Sequence, residues 1–129
     1  MSFPEFFARI PGITLRDPLA ELLGATEGGL IDYRFADAVK LAGHSCPTVA
    51  GAWLMTVRAL QALYGDEIPE RGNIVVALHE DLDSGVAGVM ASIATLLTGA
   101  TGGREDGIAR SREIRLEQCA AASRAARAE

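Results

Sequence analysis

Cysteine is scarce in this chain. Cys46 and Cys119 are the whole supply, which argues against the disulfide framework of a small secreted domain and against the repeated Cys-pair spacing of a structural zinc ribbon. Lysine is scarcer still: Lys40 stands alone beside eleven arginines, and with a net charge of -5 the chain lacks the basic surface of a general nucleic-acid binder. No unbroken apolar run approaches the roughly 20 residues that a membrane-spanning helix needs. The opening Met1-Ser2-Phe3-Pro4-Glu5 has no basic stretch of the kind that starts a secretory signal. These absences predict a soluble, cytoplasmic protein with neither nucleic acid nor membrane as partner.

What is present is a substantial apolar fraction, 49% of 129 residues against 22% charged. That composition argues against intrinsic disorder, and a chain of this length buries about two-thirds of its unfolded surface as one domain. Charge is unevenly placed. Arg104, Arg110, Arg112, Arg115, Arg124 and Arg127 all fall in the last stretch, giving an acidic body and a basic tail.

Along the chain, Phe3 to Ile10 carries apolar residues at near-helical spacing until Pro11-Gly12 interrupts it, which predicts a short docking helix. Asp17-Pro18 reads as an N-cap followed by proline at the first helical position, with Leu19, Leu22 and Leu23 as the buried stripe and Gly24 as the stop. Gly28-Gly29 permits a reversal. Leu30 to Phe35 alternates weakly as a strand, and Ala36, Val39, Leu41 and Ala42 suit a helix closed by Gly43.

Pro47 to Tyr64 reads as a long central helix, apolar around most of its circumference through Val49, Ala50, Trp53, Leu54, Val57, Leu60, Ala62 and Leu63. Gly65-Asp66 ends it. Ile74-Val75-Val76-Ala77-Leu78 is the clearest strand, and its unbroken apolarity predicts burial on both faces. Asp83-Ser84-Gly85 suits the cap of a second helix, Val86 to Leu97, lined with small residues and stopped at Thr98-Gly99. From about Ala109 the composition predicts an Ala/Arg/Glu-rich helix whose scarce apolar contacts are Ile114, Leu116 and Cys119. Trp53, Met55 and Met90 are expected in the core.

Chemistry concentrates at Gly43-His44-Ser45-Cys46-Pro47. Proline sets a helix start, so Cys46 at the N-cap places its sulfur beside unpaired amides and the positive end of the helix dipole, which favours a thiolate. A thiolate with an imidazole two residues away begins a site for zinc or another borderline metal, but structural zinc takes four ligands and catalytic zinc three. His79, at the end of the strand, is the next candidate, with Glu80, Asp81 and Asp83 close behind. Other readings stay open. Cys46 as a nucleophile activated by His44 ranks lower, since no third residue orients the histidine, while Cys46 as a small buried hydrophobe beside a turn histidine weighs as much as the metal reading. The glycine-rich Thr98-Gly99-Ala100-Thr101-Gly102-Gly103 lacks the lysine and spacing of a P-loop.

Gly43-His44-Ser45-Cys46-Pro47 followed by Gly51, with Ser84-Gly85-Val86-Ala87-Gly88 running to Leu97-Thr98-Gly99-Ala100-Thr101-Gly102, resembles the FmdE-like family, which takes its name from formylmethanofuran dehydrogenase. The likeness covers about residues 30–102. It implies an α+β fold, a mixed or antiparallel sheet packed with helices and a long central helix after the Gly-His-x-Cys-Pro motif, often dimeric, with a metal or small-ligand pocket at His44 and Cys46. Thr48 stands where the family usually has glycine, Gly85 or Val86 where many members have cysteine, and no Cys-rich ribbon follows. The expected division is a domain over residues 1–103 and a divergent helical tail over 104–129.

The expected function is therefore a small metal-binding protein, zinc first among the metals. Its ligands would be His44 and Cys46 with His79, an acidic side chain, water or a partner completing the set. A redox metalloenzyme is one expected partner, and a second copy is another because the apolar fraction is high for so short a chain. The alternatives are a metal-dependent or cysteine-based small-molecule enzyme and a metal-free structural or interaction protein.

Overall fold

The computed structural model describes residues 2–78, 87–100 and 112–116. Pro4 precedes a short 3₁₀-helix, Glu5–Arg9, which packs Phe7 edge-on to Phe35 at 5.0 Å between ring centroids. A strand follows, β1 (Ile13–Arg16), and then a five-residue helix, α1 (Pro18–Leu22). After a 3₁₀ turn at Glu27–Gly29, strand β2 (Leu30–Tyr33) returns antiparallel to β1, pairing Ile13 with Tyr33 and Arg16 with Leu30. Gly29 is required at this reversal. Its φ is 72° and an added Cβ would lie 2.6 Å from the Asp17 carbonyl oxygen, a place no other residue can occupy without moving backbone.

Helix α2 (Phe35–Ala42) starts with the Asp37 carboxylate accepting from the Arg34 amide at 2.8 Å and ends at Gly43 in the left-handed region, φ 80°. Helix α3 (Pro47–Tyr64) is the centre of the molecule. Val49, Gly51, Ala52, Trp53, Leu54, Thr56, Val57, Leu60 and Tyr64 are buried along it, leaving only a stripe at Arg58, Gln61 and Ala62 in solvent beyond its first residue. Trp53 is fully enclosed, edge-on to Phe35, and its indole N–H donates to the Pro11 carbonyl at 2.8 Å. Buried Thr56 satisfies its hydroxyl on the Ala52 carbonyl one turn back.

Strand β3 (Ile74–Leu78) pairs in parallel with β4 (Arg112–Leu116), Ile74 opposite Arg112 and Leu78 opposite Leu116. Between them in sequence, helix α4 (Ala87–Thr98) packs on α3 through Met90, Ile93, Ala94 and Leu97. The fold is α+β: helices around one core with two two-stranded sheets, one antiparallel and one parallel. An isolated parallel bridge between Arg16 and Glu70 joins the β1 edge to the approach to β3. Met90 and Trp53 lie in the core as expected, with Met55 at its margin. The expected cap at Asp83-Ser84-Gly85 lies outside the described residues. No helix among the described residues is long and apolar enough to cross a membrane.

Four features depart from the sequence expectations. β1 is a strand that no local pattern announces. The Leu19, Leu22 and Leu23 stripe points away from the core, the three side chains being 62%, 80% and 73% exposed. In β3 Ile74 is fully buried, but Val75, Val76 and Ala77 are half-buried. Residues 112–116 form a strand in place of the expected helix, because pairing with β3 satisfies their backbone and overrides the helix propensity of arginine, glutamate and leucine.

Candidate functional site

The site is built where α2 gives way to α3. Gly43 turns the chain out of α2, residues 44–46 cross the gap, and Pro47 fixes the first residue of α3. Cys46 is the N-cap in extended conformation, φ -142° and ψ 169°, and its carbonyl accepts the first intrahelical bond, from Ala50 at 3.0 Å. Its sulfur makes no capping bond to the amides of the first turn. The thiol is half-buried against the edge of the core and free of any disulfide, while His44 stands exposed on the same short loop. A soft donor and a borderline donor thus sit in one turn at the positive end of an 18-residue helix.

Among the described residues, no group of three or more His, Cys, Asp or Glu side chains converges as a metal cage would. His44 and Cys46 are two donors of a set that needs at least one more. His79, Glu80, Asp81 and Asp83 lie outside the described residues, as do Cys119 and residues 101–103 of the glycine-rich stretch. His79 directly follows Leu78, the last residue of β3.

A second electrostatic feature lies elsewhere, where sequence reasoning assigns only a cap. Asp17 caps α1, its Oδ1 accepting from the amides of Leu19 at 3.0 Å and Ala20 at 3.2 Å. Its Oδ2 accepts from Arg71 at 3.0 Å, with the Asp17 and Arg71 side chains 14% and 25% exposed. Burial works against the carboxylate, but the Ala20 amide, the Arg71 guanidinium and the Leu19 amide outweigh it and hold the Asp17 pKa below its ordinary 3.8. Arg71 also donates through Nε to the Leu96 carbonyl at 3.2 Å and lies 5.9 Å from the Tyr33 ring centroid. The next amide, Gly72, donates to the Thr98 carbonyl at 2.8 Å. One arginine therefore ties the start of α1, the end of α4 and β2 together. The sole sequence signal is Asp17 itself, since nothing local predicts a partner 54 residues away.

The chain matches no family model, no curated protein and no solved structure.

Proposed function

We propose that this chain is a small metal-binding protein in which the Cys46 thiolate and the His44 imidazole ligate a transition-metal ion, zinc first, with His79, a nearby carboxylate, water or a partner protein filling the remaining positions. The observation that supports this reading is the placement of Cys46: an N-cap thiol that caps nothing, at the positive end of a buried helix, with an imidazole on the same exposed loop. The donor set fits zinc, since thiolate sulfur and imidazole nitrogen are its preferred protein ligands. A metal held by so few protein donors keeps open positions, and there it would serve as a Lewis acid or activate a bound water. The resemblance of the Gly-His-x-Cys-Pro motif to the FmdE-like family favours an accessory role beside a redox metalloenzyme.

Elemental analysis and absorption spectra of untagged protein test this. Wild type should carry near-stoichiometric metal, and Cys46→Ser and His44→Ala should each weaken it by more than about 100-fold, the upper end of what losing an outer-sphere partner costs, with unchanged circular dichroism. His79→Ala, compared in the same assay, tests the third ligand. A wild type that is metal-free and takes up neither zinc, iron nor haem overturns the proposal. Loss of metal that merely tracks loss of fold in both variants does so too.

A further inference from the structure

The chain leaves the sheet at Asp17 and rejoins it at Gly29. β1 and β2 pair as far as Arg16 and Leu30, and the Asp17 amide adds one more rung by donating to the Gly29 carbonyl at 2.7 Å. Residues 18–28 therefore form an excursion whose two ends are already bonded together. Among the described residues, no side chain of this excursion belongs to the core or packs against it. Leu19, Leu22 and Leu23 are 62%, 80% and 73% exposed, so they give up little burial when α1 comes away.

Polar links at the base hold α1 instead. Asp17 Oδ1 accepts from the Leu19 and Ala20 amides, while Arg71 engages Oδ2 and so aims the carboxylate at the helix. The Arg16–Glu21 pair lies in solvent, where an ion pair adds little. A five-residue helix has no stability of its own, so its hydrogen bonds last only while the cap holds the first turn. Two features weigh against the closed form. Thr26 Oγ1 is buried with no hydrogen-bond partner, a cost that hydration on opening removes. Gly24 and Gly28 take positive φ, 73° and 66°, and glycine gives the open chain its greatest freedom.

We infer that residues 18–28 open and close as one unit while the core around Trp53 stays folded, with the Asp17 carboxylate as the latch. Local openings range in free energy from near zero to that of global unfolding, and segments with few apolar contacts lie at the low end. The seat stays in place when the helix leaves. Arg71, its side chain 25% exposed beside the carboxylate, is held independently by the Leu96 carbonyl and the Tyr33 ring. The segment is thus a flap that returns to a preformed base.

Native-state hydrogen exchange on the full chain, followed by NMR through a denaturant series below the unfolding transition, tests the inference. The Glu21, Leu23 and Ala25 amides, bonded to the Asp17, Leu19 and Ala20 carbonyls, report α1, and the amides of Trp53 to Leu60 report α3. The α1 amides should exchange at least about 100-fold faster than those of α3, with almost no denaturant dependence because little surface is exposed. Leu60→Ala should speed the α3 amides about 30-fold or more and leave the α1 amides unchanged. Ile93→Val makes the same comparison with a milder loss should Leu60→Ala not fold. Asp17→Ala should speed the α1 amides about fivefold. A single rate and denaturant slope shared by α1 and α3, or a core substitution that speeds both alike, overturns the inference, since the excursion then opens only with the whole molecule. So do α1 amides that exchange without protection, which would mean no closed form, and α1 rates that Asp17→Ala leaves unmoved.

Discussion

α1 and α3 begin alike and end up opposite. Each starts with a polar or sulfur N-cap followed by proline, Asp17-Pro18 and Cys46-Pro47, and each carries leucines at helical spacing. Yet α3 buries its apolar residues on nearly every side, while α1 turns three leucines into solvent. The difference lies in the caps. Asp17 is fully engaged, with its own helix amides and with Arg71, and those bonds fix which side of α1 looks inward. Cys46 makes no capping bond through its sulfur, so α3 is oriented by packing and by the Trp53 bond to Pro11 further along, and the thiol stays available for chemistry. Spacing thus tells which residues share a face. What covers the face depends on where polar anchors pull the element.

The comparison breaks most readily at Trp53. Truncation to alanine removes a fully buried ring from α3, its edge contact with Phe35 at 6.2 Å and its hydrogen bond to Pro11. A cost of about 3–5 kcal/mol is expected from the lost burial and the cavity, read as a lower denaturant midpoint at unchanged slope. A loss no greater than that of an α1 leucine variant would mean that α3 is not the centre of the fold.

The anchor on α1 is next in size. Arg71→Ala should cost about 1–3 kcal/mol, since it strands the Asp17 carboxylate and the Leu96 carbonyl together. Asp17→Asn keeps an N-cap but removes the charge, so its cost at neutral pH is smaller. Its pH dependence is the sharper readout. The Asp17 carboxyl has a lower pKa folded than unfolded, so its contribution is fully present above the unfolded value and fades as pH falls through the lowered folded one. Stability measured from neutral pH down into the acid range should therefore fall less steeply in Asp17→Asn than in wild type. Parallel acid limbs would show that the pair with Arg71 does not hold α1 in place.

Much of this fold is legible in the sequence where local chemistry decides. Pro47 and Gly65 bracket α3, Gly43 closes α2, and the unbroken Ile74-Val75-Val76-Ala77-Leu78 marks β3. Illegibility begins where a distant partner decides. β1 is four residues between two breakers with only Leu15 fully buried, and its identity comes from pairing with β2, across the intervening α1. Arg112-Glu113-Ile114-Arg115-Leu116 has the composition of a helix and the pairing of a strand. The same holds for the candidate site. His44 and Cys46 are neighbours in sequence and their placement at the α3 start follows from Pro47, whereas any third ligand must come from another element.

The smallest effect closes the contrast between the two helices. Leu22 is the most exposed of the large apolar side chains among the described residues, so Leu22→Ala removes almost no buried surface from the protomer. Its unfolding free energy should stay within about 0.5 kcal/mol of wild type, as for other surface changes. A leucine on α3 such as Leu60, fully buried, should show the converse: a loss of about 2–5 kcal/mol on truncation. Equal losses at the two positions would mean that α1 packs into the protomer as α3 does. A helical leucine stabilises the protomer only where the protomer covers it.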